Sequence, residues 1–497
     1  MRKGELFRAT KLAYEEIGPP ERALESLCGL GWVDSDPELT LEQLFGILTK
    51  KEIATHFKQH ISTLSKSKAD LLSTLRPMFE ARQCFSAWCS GSDERVVALT
   101  IMPMCDRFRL MFFGNLRQGW SEFVLAELGI YRYEAVEFSL ASRAFRTRAD
   151  VELYLHLHRC RERFEQGAPI IDLLDEIPAP IIDNSWLEAR RAKLLFQLGQ
   201  HCERNGEPML ALNLYEDSIH SGARIRRVRL LERADQYETA FELAQWAEQA
   251  PESEAEKQHL QRLLPRLRRK LGLAKAPQQE NAPIARIDLT LPRLAGISVE
   301  ITVRDHLAES GCPVHYVENS LVNALFGLLC WEVIFTAVPG AFFHPFHGGP
   351  ADLFRPDFYR QRALLFEACL SQLDSPAYKA TIRHNFELKW GIQSPFVHWG
   401  NLSASLLEQA LACLPAAHLK QWFQRILLDI KANRTGFPDL IQFWPNERQY
   451  RMIEVKGPGD RLQDNQLRWL EFCARNDMPV AVCYVQWEET AQAERAG

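Results

Sequence analysis

Asp439 heads one apolar run, "DLIQFW", and Glu454 and Lys456 close the next, "YRMIEVK". Both runs are rich in Ile, Val, Phe, Trp and Tyr, and "PNERQ" between them is turn chemistry, so the pattern predicts a β-hairpin. Alternation sends Ile453 and Val455 to one face and Met452, Glu454 and Lys456 to the other. An acid and an ammonium therefore share a face, with an Asp on the neighbouring strand close by. Hard oxygen ligands in that arrangement suit a divalent cation with a lysine beside it. The next segment, "DRLQDNQLRWLEFCARNDMP", reads as a helix with Leu467, Leu470 and Cys473 as its apolar stripe and Gln466 near the preceding strand, and "VAVCYVQW" reads as a buried strand. Upstream, "ENSLVNALFGLLCWEVIF" carries Leu321, Leu325 and Leu328 at helical steps. That spacing places Glu318 on or beside a buried face at a helix N-terminus, where a glutamate is ordinarily a helix-dipole partner.

The elements that must position these groups occupy a chain of 497 residues, long enough for roughly three domains, with 46% hydrophobic residues. The net charge of −5 excludes a polycation, so any nucleic-acid contact must come from local basic patches. No apolar run reaches the length of a bilayer span, and "MRKGELFRAT" lacks the core of a signal peptide. The twelve cysteines are scattered without a CxxC pair, which fits reduced core thiols. A cytoplasmic protein is expected, nucleoid-associated if bacterial, with no membrane partner.

Five stretches follow from composition. Residues 1–82 are expected to be a helical N-terminal domain. Within it "LTKKEIATHFKQHISTLSKSKADLLSTL" reads as helix, link, helix, with Ser65 or Ser67 as a cap, and resembles the SAP module, a reader of DNA backbone. Residues 83–183 form a mixed connecting domain, winged-helix-like or simply connecting. There "RVVALTIMPMCDRFRLMFFGN" alternates like a strand pair, and "GWSEFVLAELGIYRYEAV" looks like a helix running into a strand. Residues 184–275 carry tetratricopeptide-like repeats: Leu198-Gly199, Gly206 in a turn, then Ala211 and Tyr215, with a second copy at Tyr237, Ala240 and Ala244. Such arrays offer surfaces to protein partners. Residues 276–295, with "APQQENAP", read as a linker, and 296–497 as the domain holding the chemistry.

Arginines crowd two helices of the repeats. Arg224, Arg226, Arg227, Arg229 and Arg233 share one; Arg262, Arg266, Arg268 and Arg269, with Lys270 and Lys275, lie on another close by in sequence. Guanidinium forks match phosphate oxygens, which makes these helices candidates for phosphate binding, the alternative being a solvated face.

"GFPDL…IEVKGPGDRLQDNQLRWL" resembles the VRR-NUC branch of the PD-(D/E)xK nucleases. "YVENSLVNALFGLLCWEVIF" followed by "GGPADLF" is similar to the Fanconi-associated nuclease subgroup, as are the SAP-like hairpin and the repeats in order, so the resemblance spans nearly the whole chain. On it the chain is identified as a bacterial member of that family. The implied fold is multidomain: a mostly α-helical N-terminal region with a SAP-like hairpin and TPR-like helical repeats, then a C-terminal α/β PD-(D/E)xK restriction-endonuclease-like domain. Two departures stand out. The zinc finger of animal members has no counterpart, and the first residues match the interior of the family's N-terminal domain, which implies leading sequence outside this chain.

The resemblance implies that Asp439 and Glu454 ligate Mg²⁺ or Mn²⁺, with Glu318 and the Val455 carbonyl completing a two-ion site. Lys456 would orient or activate the attacking water and add positive charge, and Gln466 would position water or phosphate. It further implies a structure-specific endonuclease for 5′ flaps with 5′-to-3′ exonuclease activity on branched or flapped duplex DNA, in DNA repair, including interstrand crosslinks. Arg224, Arg226, Arg227 and Arg229, in "ARIRRVRLLER", are the candidates for the 5′-phosphate anchor such an activity needs. The alternatives are a Holliday-junction-type resolvase and a non-enzymatic repeat scaffold for DNA or protein.

Overall fold

The computed structural model describes residues 6–12, 20–61, 67–79, 81–138, 142–143, 145–275 and 282–488. They fall into two compact units, one running through Arg117 and the other from Gln118.

In the first unit, three capping boxes start short helices. Thr40 caps Leu41–Ile47, Thr49 caps Lys50–His56 and Ser67 caps Lys68–Leu75, each side chain accepting from the third residue of its helix while that residue's side chain accepts in return. The last two are the helices of the expected hairpin; Ser65, the other cap candidate, lies outside the described residues. Leu44, Ile53, Leu71 and Leu75 pack with Phe85 and Trp88 in one core. A three-stranded antiparallel sheet joins Leu6–Arg8, Val96–Leu99 and Val33–Asp34, so chain on both sides of residue 82 shares one sheet. The expected strand pair after Arg95 is one strand only. From Met102 to Phe113 the chain is helical, with Pro103 in its first turn and Leu110 and Phe113 buried at a spacing of three. Proline there removes a donor that has no partner in any helix, and that outweighs the apparent alternation.

The second unit opens with the helix Ser121–Glu127, which leads into extended chain rather than the expected strand; an isolated bridge joins Arg132 to Ile392. After Arg148–Glu165 come the repeat helices Ser185–Arg204, Pro208–Glu216, Ala223–Arg233, Tyr237–Gln249 and Glu254–Lys270. Gly199 is where the first pair closes: a Cβ there would sit 2.7 Å from the Tyr215 ring. Gly206, at φ +81°, makes the turn between the two helices, a backbone that favours glycine.

The C-terminal part is built on a five-stranded sheet in the order Ala285–Leu291, Val480–Trp487, Gln449–Lys456, Leu440–Trp444, Val314–Tyr316. The first three strands are parallel and the last two pairings antiparallel. The hairpin stands where expected. The edge strand Ala285–Leu291 replaces the latter part of the expected linker; residues 276–281 lie outside the described residues. One face of the sheet, with Leu440, Ile453, Val455 and Cys483, packs on Val303 of the helix Val299–Leu307. The other, with Ile441, Met452 and Val482, meets a large helical core around Leu321–Leu329, every residue of which is buried. That helix is enclosed on all sides, rather than striped as its Leu spacing indicated. Among the described residues no helix is long and apolar enough to cross a membrane.

Candidate active site

Strand register brings the chemistry together. Leu440 pairs with Ile453 and shares its face, so Asp439, one residue earlier, and Glu454, one later, both turn to the other side. Asp439 and Lys456 are 7% exposed and Glu454 is fully buried. The Asp439 carboxylate accepts from the Val455 backbone N–H at 2.9 Å. Lys456 Nζ lies 2.8 Å from Glu454 Oε1, a close ion contact; neither oxygen of Glu454 accepts a well-directed hydrogen bond.

Burial pushes both acids up. Asp439 rises to about 6, with Glu318 and Glu300 adding repulsion against the Val455 N–H and Lys456. Glu454 rises to about 8, with Asp439 and Glu318 adding to the desolvation and Lys456 opposing it. Two carboxyls are thus held, with too little positive charge nearby, in a site that disfavours their ionised forms. A buried carboxylate lacking donors is the chemistry that hard divalent cations complete, so the residues present fit such an ion.

Glu318 differs from its expected setting. It is exposed, in the turn before the helix rather than on the buried face. Tyr316 Oη donates to its Oε2 at 2.5 Å and Asn319 Nδ2 to its Oε1 at 3.1 Å. Its charge nevertheless acts on both Asp439 and Glu454. Asn319, at φ +51°, ties this turn to the loop before Asp439: its Oδ1 accepts from Gly436 N at 2.7 Å and Phe437 N at 3.1 Å. Gly436, at φ +94°, admits no side chain, because a Cβ would lie 2.6 Å from the Asn465 carbonyl carbon. That contact sets the loop against the N-terminus of the helix Asp464–Arg475. Gln466 stands in this first turn, and its Oε1 accepts from Gln463 N at 2.9 Å, leaving its amide N–H₂ for other partners. The buried stripe of this helix is Trp469, Leu470 and Cys473, with Leu467 only half-buried.

Two contributors were missed in the sequence. Glu300 stands in the first turn of the helix Val299–Leu307, capped by Ser298, and its charge raises both Asp439 and Tyr316. Val299 beside it reaches within 3.7 Å of the position a Cβ on Gly457 would take, next to Lys456. "GISVE" carries the cap-and-acid signal for this helix. Asn319 had no such signal.

The arginine helix divides. Arg224 is turned inward, its Nε and Nη2 donating to Glu256 at 2.8 and 2.6 Å, so its fork is already filled. Arg226 pairs with Glu203 at 2.7 Å and Arg227 with Glu216 at 2.6 Å. Arg229 has no carboxylate partner among the described residues and lies 3.5 Å from His259 Nδ1. Around His259 gather the charges of Arg229, Arg262 and Arg468 with Asp464, and burial with these cations lowers its pKa.

Comparison with known proteins bears on this arrangement. Residues 375–487 match the VRR-NUC domain, 38–88 the Fanconi anemia-associated nuclease SAP domain, and 1–34 the FAN1 HTH domain. The HTH match lies ahead of the region singled out as winged-helix-like. A Fanconi-associated nuclease 1 homolog of Pseudomonas aeruginosa is 57% identical over 488 residues, 98% of this chain and 87% of that protein. The human Fanconi-associated nuclease 1 is 30% identical over 197 residues, 38% of this chain and 19% of that protein. A crystal structure of paFAN1 bound to 2-nt 5′-flap DNA with a gap superimposes with a TM-score of 0.93 at 56% identity, covering 98% of this chain and 90% of that one. A second, with a 1-nt 5′ flap, gives 0.91 with the same identity and coverage.

Proposed function

The chain belongs to the Fanconi-associated nuclease family, structure-specific DNA nucleases, and on that premise we propose that it hydrolyses phosphodiester bonds of 5′-flapped duplex DNA at the Asp439–Glu454–Lys456 site. The observation that carries the reading is the buried acid pair with a lysine 2.8 Å away and the acids raised to about 6 and 8. A scaffold has no use for such a pair, whose burial works against folding.

Asp439, Glu454, Glu318 and the Val455 carbonyl would hold Mg²⁺ or Mn²⁺, two ions in all, and Glu300 adds a further negative charge beside them. Such ions lower the pKa of bound water and neutralise charge developing on the phosphate. Lys456 orients the attacking water and sets its own charge against the reacting phosphate. Gln466, its oxygen engaged by the helix cap, donates its amide N–H to the water or to a phosphate oxygen. The Val455 N–H fixes the Asp439 carboxylate, so the acid does not rotate away from its neighbour.

Cutting at a set distance from a 5′ end needs an anchor for the terminal phosphate apart from the cleavage site. Arg229 and His259 supply it in this reading, beside Arg262, which also pairs with Asp464 at 2.6 Å, while Arg226 and Arg227 on the helix of Arg229 are tied to Glu203 and Glu216. A terminal phosphate carries more charge than an internal one and accepts several guanidinium forks. Incision then favours short 5′-phosphorylated flaps and proceeds 5′ to 3′. The test compares 5′-phosphate with 5′-hydroxyl flaps in wild type and Arg229→Ala. Wild type should prefer the phosphate and the variant should lose most of that preference. Equal cutting of both ends by wild type removes the anchor and leaves the cleavage site standing.

A further inference from the structure

Between the helices Glu254–Lys270, Ala416–Leu428 and Asp464–Arg475 lies a cleft of about 130 Å³, lined by Lys257, Arg425, Arg468 and Arg475, with Glu254 and Glu471 at its side. Arg425 is its floor. The side chain is 11% exposed, and its guanidinium donates no hydrogen bond to any described residue. It is held by ring contacts instead, 4.4 Å from the Phe472 centroid and 5.2 Å from that of Trp469, with one carboxylate oxygen of Glu254 as far as 3.8 Å away. Arg468 gives one N–H to Gln258 at 2.6 Å, while its buried Nε has no acceptor among the described residues. Arg475 reaches Glu471 at 3.2 Å from the rim.

Buried guanidinium N–H groups without acceptors are costly, and each calls for a partner. Here they come in a group of like charges. Burial lowers the pKa of Arg425; Glu254 and Cys473 oppose that, and Arg468 and Arg475, like charges across the cleft, add to it. Four bases and two glutamates line the cleft, and Asp429 and Asp464 also act on Arg468 from behind it. The volume admits a group of a few heavy atoms, since a water takes about 30 Å³ of liquid volume. A tetrahedral oxyanion fits it; a nucleoside does not.

We propose that this cleft is a second phosphate site, separate from the 5′ anchor, in which Arg425 and Arg468 grip one phosphate group and Arg475 and Lys257 close its mouth. The group comes either from the backbone of a bound duplex arm or from free orthophosphate. The site neighbours the anchor around His259, on which the charge of Arg468 also acts, and differs from it in being built on Arg425 rather than Arg229.

The experiment uses the full chain in metal-free, low-salt buffer, in an Arg229→Ala background that removes the anchor as a competitor. Orthophosphate is titrated by calorimetry, and the salt dependence of flap-DNA binding is measured in parallel. Arg425→Gln should weaken orthophosphate binding at least tenfold, and the rim variant Arg475→Ala, whose side chain is nearly half exposed and not part of the core, several-fold. A salt slope lower by about one unit in both variants assigns the phosphate to the DNA backbone, because each lost contact releases about one counterion fewer. Orthophosphate binding with an unchanged slope assigns it to the free anion. No saturable orthophosphate binding together with an unchanged slope overturns the proposal and leaves the donors to water.

Discussion

Replacing Glu454 by Gln should make the metal-free protein more stable, and increasingly so as pH rises. The carboxyl sits at about 8 in the folded chain against 4.5 when unperturbed, because burial and Asp439 outweigh Lys456. Between those values the native state keeps a proton that the unfolded chain has released, so wild-type stability falls as pH rises. The slope is about 1.4 kcal/mol per pH unit for a single fully linked proton, so from pH 6 to pH 8 wild type loses roughly 2–3 kcal/mol that the neutral isostere keeps. Asp439, raised to about 6, steepens the fall below pH 6 in both proteins and cancels in the comparison. The assay is denaturant unfolding in EDTA at pH 6, 7 and 8. Adding Mg²⁺ or Mn²⁺ should then restore wild type and leave the variant unmoved, since a ligand stabilises only the state that binds it. If Glu454→Gln is less stable than wild type at every pH, Glu454 and Lys456 form a structural ion pair, and the picture of an acid pair lacking its cation fails.

Two other substitutions test how the site is set. Gly436→Ala should destabilise the C-terminal part by about 1–3 kcal/mol and lower cleavage with it, because a left-handed backbone and a 2.6 Å contact with the Asn465 backbone both oppose a methyl group; a variant with wild-type unfolding and activity would show that the loop yields freely. Glu300→Gln should weaken Mn²⁺ binding several-fold, read by calorimetry without DNA, while leaving flap binding in EDTA unchanged; unaltered Mn²⁺ affinity would make Glu300 a helix-start acid alone.

How much of this was legible depends on range. The hairpin was readable because alternation over "YRMIEVK" fixes which residues share a face, and that alone sets Glu454 beside Lys456. Gly199 and Tyr215 were readable as a repeat signature, and the 2.7 Å approach is its physical content. The edge strand Ala285–Leu291 carried its period of two in Ile287, Leu289 and Leu291, but the polar run before it drew the boundary too late. The helix Met102–Phe113 was mistaken for a strand because its apolar residues are mostly exposed or half-buried, so no clean stripe marks its core face. Glu318 and Glu300 could not be placed from local pattern, since their meeting with Asp439 spans more than a hundred residues of chain. The same holds for Arg224, whose partner Glu256 lies 32 positions on. Sequence shows that a helix is rich in arginine; only tertiary packing shows which forks are already filled.

The central claim is that Asp439, Glu454 and Lys456 form the cleavage site. Its most direct test is single-turnover cleavage of a 5′-phosphorylated flap with Mn²⁺ by Asp439→Ala beside wild type, with flap affinity measured in the same preparations in EDTA. Wild type should cut with divalent ions and not without them, and the variant should bind the flap within a few-fold of wild type yet leave it intact. A variant that still cuts at the same position with more than a few per cent of the wild-type rate would place the chemistry elsewhere in the protein.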